Sequence, residues 1–191
     1  MNSDTIAGKW TCSSGCKQTT GKRSYLGPFG NSDVRLQCER LPEHDTLVVS
    51  MRMYILGSWD GITDSDQLII TIDQRDTLLH STFSNTTYLQ NYPDRIGGKS
   101  HPRRTGAAET DVTGWIFREA GVFDGPLDAA YTLEFRLPHS AASCALAIRG
   151  VLRDVRKIPE NEAWGIDDVH IGVIRARKPE RIPEEDAVRG R

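Results

Sequence analysis

The sequence predicts an all-β fold, an antiparallel sandwich, on three observations. Apolar residues recur with a period of two rather than 3.6, turn residues punctuate the strand-like runs, and amphipathic helical stretches are almost absent. The clearest run is Thr46-Leu-Val-Val-Ser-Met-Arg-Met-Tyr-Ile-Leu56. Leu47, Val49, Met51, Met53 and Ile55 share one face of it, and Val48, Ser50, Arg52 and Tyr54 point the other way. Val34-Arg-Leu-Gln-Cys38 alternates likewise, and Gln67-Leu-Ile-Ile-Thr-Ile-Asp73 is β-branched and bounded by Asp-rich turns, as a core strand should be. Further strands are expected in Tyr131–Leu137, Cys144–Arg149 and Val169–Ile174. Gly27-Pro-Phe-Gly-Asn31, Trp59-Asp-Gly61, Gly97-Gly98 and Gly125-Pro126 supply the turns between them. Val49, Met51, Ile70, Phe135 and Ile171 are expected in one core.

Composition bounds the function. Of 191 residues, 38% are hydrophobic and 26% charged, a globular balance with room for one well-buried domain. The 24 basic and 26 acidic side chains leave a net charge of -2, so the chain has no global attraction to a polyanion. Arg95, Lys99, Arg103 and Arg104 make one stretch basic, but no stacking residues interleave them, and nucleic acid is not an expected partner. No apolar run approaches the roughly 20 residues a membrane span needs.

Residues 1–23 read as an N-terminal segment with a Cys12-Ser-Ser-Gly-Cys16 loop flexible enough to close on itself. Cys38 and Cys144 lie in apolar runs where a buried free thiol is ordinary. Nothing after Met1 resembles a secretory signal, so an extracellular site would require that a leader has been removed, and otherwise an intracellular one follows. Ser84–Gly114 is a long polar connection, and loops of that length in compact domains are functional, disordered or held by something else. Residues 177–191 form a charged tail.

Four segments bring oxygen ligands to probable strand ends. Asp60, Asn85, Glu109 and Asp168 offer the carboxylate and amide oxygens a hard cation such as calcium takes, without sulfur or imidazole. The alternative reading is four ordinary turn residues satisfied by backbone N–H groups. Trp59 and Trp164 flank this set, with Tyr54, Tyr88 and Tyr92 near it. Flat aromatic faces stack on sugar C–H surfaces, so Trp59, Tyr92, His101, Arg104 and Trp164 are candidate ligand-binding residues. The two tryptophans read somewhat better as core plugs at the sandwich end. Asn85-Thr86-Thr87 is a formal glycosylation sequon. Enzymatic readings are poor. His44, His80, His101, His139 and His170 are scattered, no nucleophile elbow or phosphate loop is present, and Asp60 with Glu109 is one of many conceivable glycosidase acid pairs.

The series Leu26-Gly-Pro-Phe-Gly-Asn31, Leu41-Pro-Glu-His44, Ser58-Trp-Asp-Gly61, Thr82-Phe-Ser-Asn85, Tyr92-Pro-Asp94, His101-Pro102, Thr105-Gly-Ala-Ala-Glu109 and Trp164-Gly-Ile-Asp-Asp-Val169 resembles a group of secreted bacterial and protist jelly-roll modules. Its closing Gly-Ile-Asp-Asp-Val is similar to the end of MAM domains and of other concanavalin-like or galactose-binding-like sandwiches. The likeness spans residues 24–176. It implies a jelly-roll sandwich, often with a structural calcium, used in adhesion or glycan contact and without catalysis. The function expected is thus a non-catalytic, calcium-stabilised module for carbohydrate or a glycosylated or protein surface. The alternative is an accessory subunit of a larger assembly, bound through its loops and tail.

Overall fold

The computed structural model describes residues 8–15, 23–119, 123–153 and 161–176. Among these residues are twelve strands and no helix. One sheet runs in the order β1 (Gly8–Cys12), β3 (Asp33–Glu39), β11 (Ser143–Val151), β5 (Gln67–Ile72), β6 (Asp76–Thr82). The other runs β2 (Leu26–Phe29), β12 (Glu162–Ile174), β4 (Thr46–Gly57), β10 (Asp128–Pro138), β7 (Glu109–Thr110). A separate hairpin pairs β8 (Ile116–Glu119) with β9 (Phe123–Pro126). All pairings are antiparallel. Setting aside the short edge strands β1 and β7 and the β8–β9 hairpin, the chain crosses between β2-β12-β4-β10 and β3-β11-β5-β6 at every step but β5 to β6, which pair within one sheet, and this is jelly-roll connectivity. The expected fold class is the one observed.

Alternation explains the core. Leu47, Val49, Met51, Met53 and Ile55 of β4 face Val34, Leu36, Leu68, Ile70, Leu146 and Ile148 of the opposite sheet, all of them buried. Phe135 and Ile171 pack against this cluster but are only partly buried. The polar alternation of β4 fails at its end, where Tyr54 and Leu56 are buried on the outer face. There they form a second cluster with Tyr25, Ala130 and Ala163, over which Val112 and Trp115 pack.

Both tryptophans of interest lie in the core and are fully buried. Trp59 donates its indole N–H to the Ala163 carbonyl at 2.8 Å, and Trp164 donates to that of Gly30 at 2.8 Å. Each thus buries a large apolar surface without an unsatisfied polar atom. A Cβ on Gly150 would stand 2.5 Å from Trp164 Nε1, so glycine is what lets the indole approach.

Cys12 is disulfide-bonded, and Cys38 and Cys144 are buried free thiols. Cys16, most of the N-terminal segment and the tail 177–191 lie outside the described residues. No helix among the described residues is long and apolar enough to cross a membrane.

Candidate functional site

The long connection after Ser84 is ordered, and buried amides are the reason. Gln90 is fully buried, and its side chain makes four hydrogen bonds. Its Oε1 accepts from the Ser84 and Arg104 N–H groups at 3.1 and 3.0 Å, and its Nε2 donates to the Tyr92 and Thr105 carbonyls at 3.0 Å each. Asn91 donates to Gly98 and Lys99 carbonyls. Downstream, the buried Asp128 carboxylate accepts from the N–H groups of Val112 and Thr113 and from the Thr113 hydroxyl, fixing the turn that leads into the β8–β9 hairpin.

Two of the expected metal ligands meet at one rim. Asp60 follows the end of β4 and bridges to Ser84. Its Oδ1 accepts from the Thr86 hydroxyl at 2.5 Å, and its N–H donates to Asp66 Oδ2 at 3.0 Å. Asn85 is adjacent but spent on structure. Its Nδ2 donates to the Ile55 and Gly57 carbonyls at 3.0 Å each, and its Oδ1 accepts from Arg104 Nε at 3.4 Å. With the side chain buried and both amide protons engaged, the sequon nitrogen is inaccessible in the folded chain.

The other two expected ligands stand elsewhere. Glu109 is held between Arg23, at 2.8 Å, and Arg52 on the outer face of β4. Asp168 sits in the bulge of β12 against β4 with φ 50°, a left-handed conformation that Asp tolerates better than most residues. Its charge adds to that of Glu109 in favouring the protonated guanidinium of Arg52. Arg52 lies five residues before Gly57, roughly 17 Å of strand at 3.3–3.4 Å per residue, so Asp168 and Asp60 share no centre. The four-residue calcium set is therefore corrected: its donors are divided between two places, with Asn85 and Glu109 already engaged. Among the described residues no group of three or more His, Cys, Asp or Glu is arranged to hold a metal ion. The Asp60–Glu109 acid pair is divided in the same way.

The expected ligand-binding residues are also redistributed. Trp59 and Trp164 are the sandwich plugs described above and present no face to a ligand. Tyr92 stacks on Phe83 at 4.8 Å and packs edge-on against Tyr131 at 5.2 Å, and burial pushes its phenol up. His101 pairs with Asp94 at 2.8 Å, and Arg104 with Asp111 at 3.1 Å. These three brace the connection that carries the site.

The site itself is a cleft of about 470 Å³ beside Asp60. Ser58 and Asp60 reach it from the exit of β4, Asn85, Thr86, Thr87 and Tyr88 from the exit of β6, and Arg103 from the same long connection. The hairpin contributes Phe117, Glu119 and Phe123, with Leu127 and Asn161 completing the lining. Tyr88 is 46% exposed and Phe123 39%, whereas Phe117 is buried, its ring 6.2 Å from that of Phe123. Arg103 donates to the Thr86 carbonyl at 3.3 Å. Two carboxylates and one guanidinium thus stand among hydroxyls, amides and two accessible aromatic rings.

Sequence reasoning reached Asp60 and Asn85 of this lining and placed Tyr88 near it. Phe117, Glu119 and Phe123 were missed. Their signal was faint, a pair of aromatics in a stretch without a clear alternating run.

No family model matches the chain, and no curated protein matches it. Among solved structures, a carbohydrate-binding module of Cellvibrio mixtus lichenase 5A in complex with cellotriose is similar at 12% identity and a TM-score of 0.33. The match covers 88% of this chain and 97% of that one. Likeness at that level carries no argument about a ligand.

Proposed function

We propose that the chain is a non-catalytic module that binds carbohydrate in the cleft beside Asp60. The observation that carries this reading is the pairing of exposed Tyr88 and Phe123 with Asp60, Thr86, Arg103 and Glu119 in one concave site. Aromatic rings offer surfaces for the C–H faces of a pyranose, while carboxylates, hydroxyls and guanidinium bind its hydroxyls. The volume lies within the roughly 300–1,000 Å³ usual for small-ligand sites.

The test is a glycan array followed by calorimetry with the best ligand on the unaltered chain and on Tyr88→Ala and Phe123→Ala. Each truncation is expected to weaken binding about 2- to 12-fold, the equivalent of about 0.5–1.5 kcal/mol per ring contact. Unaltered affinity in both variants overturns the site, and turnover of the bound glycan overturns the non-catalytic reading. A protein partner on the same rim is the second reading, favoured by Ile62 and Leu89, which are exposed beside the cleft and joined by a backbone hydrogen bond. A cleft that binds no glycan on the array supports it.

A further inference from the structure

Beyond the opposite end of β4 from Asp60, three loops meet through side chains that the cleft does not use. His44 comes from the β3–β4 connection, Asp73 from the β5–β6 turn and His139 from the β10–β11 turn. Both imidazoles are largely buried, at 6% exposure for His44 and 7% for the His139 side chain. They form a continuous chain. His44 Nδ1 lies 2.6 Å from the Pro42 carbonyl, His44 Nε2 lies 2.7 Å from His139 Nδ1, and His139 Nε2 lies 3.1 Å from Asp73 Oδ2. The ring planes differ by 13° with centroids 5.0 Å apart. With two nitrogens at 2.7 Å, that is two rings edge to edge in nearly one plane, the geometry of an N–H···N bond.

Counting protons along this chain gives a definite answer. The Pro42 carbonyl can only accept, so His44 Nδ1 carries a hydrogen. Asp73 accepts from the Ala145 N–H on Oδ1 at 2.8 Å and faces His139 with Oδ2, so His139 Nε2 carries one as well. The nitrogen–nitrogen contact needs a third between the rings. Two neutral imidazoles hold only two ring protons.

We propose that His44, His139 and Asp73 form a one-proton latch, two imidazoles sharing three ring protons opposite one carboxylate, that ties these three loops together. Removing the third proton sets two lone pairs against each other. Adding a fourth sets N–H against N–H. The tie is therefore complete at an intermediate proton occupancy and weakened on either side of it.

Few other charges face it among the described residues. Asp45, next to His44, is held by the Thr46 hydroxyl and the Ala176 N–H. Glu43 is paired with Arg175 at 2.8 Å. Cys144 stands in the field of Asp73 with Cys38 across from it, and Arg75 and Asp76 on the β5–β6 turn face solvent. The latch also reaches the exit of β12. Asp45 donates its N–H to the Ile174 carbonyl and accepts from the His139 N–H, each at 3.0 Å.

The test is the ring-nitrogen NMR spectrum of the whole chain labelled at histidine, followed from pH 5 to pH 8, the span over which imidazole changes charge. His44→Gln and His139→Gln assign the signals. The expected result is an interval with three N–H groups on the two rings, both rings changing together at its edges. Passage from four to two with each ring titrating alone overturns the proposal. Thermal melting over the same range adds a second reading. The melting temperature of the unaltered chain minus that of His139→Phe should pass through a maximum, and parallel profiles overturn the latch. Because the spectrum is read on the unaltered chain, the proposal stays testable if that variant does not fold.

Discussion

Replacing Gln90 by alanine probes how the cleft is held. The side chain satisfies two backbone N–H groups and two backbone carbonyls in a site without solvent exposure. Truncation leaves four backbone polar groups without those partners, the Ser84 N–H in a buried bond and the other three in partly buried ones. Each unsatisfied group costs about 1–3 kcal/mol, reduced where relaxation or water supplies a substitute. Half of the lower sum to half of the upper spans about 2–6 kcal/mol, and about 4 kcal/mol is the central expectation, a large value for one substitution. For a domain of this size that corresponds to a fall in melting temperature of roughly 8–16 °C. Urea unfolding at equilibrium measures it, provided that the transition stays two-state. Gln90→Glu keeps both acceptor contacts but loses both donors, so its loss should be smaller at low pH, where the carboxyl can donate one proton. A loss below about 1 kcal/mol for Gln90→Ala would refute the claim that this amide organises the Ser84–Glu109 connection.

Three further outcomes are expected. Burial holds the Asp66 carboxyl above the usual carboxylate range, against the lowering by the Asp60 and Arg153 N–H groups and by Glu162. The folded chain therefore keeps a proton that the unfolded chain has lost, and this group's contribution to stability falls as pH rises from about 4 through its folded titration, then levels off. Glu162→Gln, which retains a hydrogen-bond donor with one ionisable group fewer, should flatten that decline in urea unfolding followed at several pH values. An identical slope would contradict it. Burial pushes the Cys144 thiol up to about 12, so alkylation of the native chain near neutral pH should be slow and should track unfolding. Reaction in the native chain as fast as with a free thiol would contradict that environment. The melting temperature should be unchanged between excess calcium and chelator, because the four oxygen-bearing residues do not converge, and a clear rise with calcium would show a site of other donors.

Much of the fold was legible because the physics that shapes it is local. Alternation in Leu47–Met53 and Val34–Cys38 follows from one buried face per strand, and it survives into the structure residue for residue. It broke down at Tyr54 and Leu56, whose outer face is covered by Tyr25, Ala163 and Trp115, partners remote in sequence. The site was less legible for the same reason. Asp60 and Asn85 could be read as rim residues from their places after strands. That Asn85 spends its amide on β4 carbonyls, and that Asp168 owes its position to a left-handed bulge, depends on backbone geometry that spacing does not encode. Tryptophans are ambiguous in sequence between plug and platform, and the carbonyls of Ala163 and Gly30 decided the matter. The basic stretch Arg95–Arg104 is partly internal bracing, since Arg104 binds Asn85 and Asp111.

The most direct test of carbohydrate binding beside Asp60 is the set of backbone amide shifts that change when the best array glycan is added to the isotopically labelled chain. The expected changes centre on Asp60, Thr86–Tyr88, Arg103 and the Phe117–Phe123 hairpin, and leave Arg52, Asp168 and His170 unmoved. Changes gathered instead around Arg52 on the outer sheet face, or none at saturating glycan, would contradict the account.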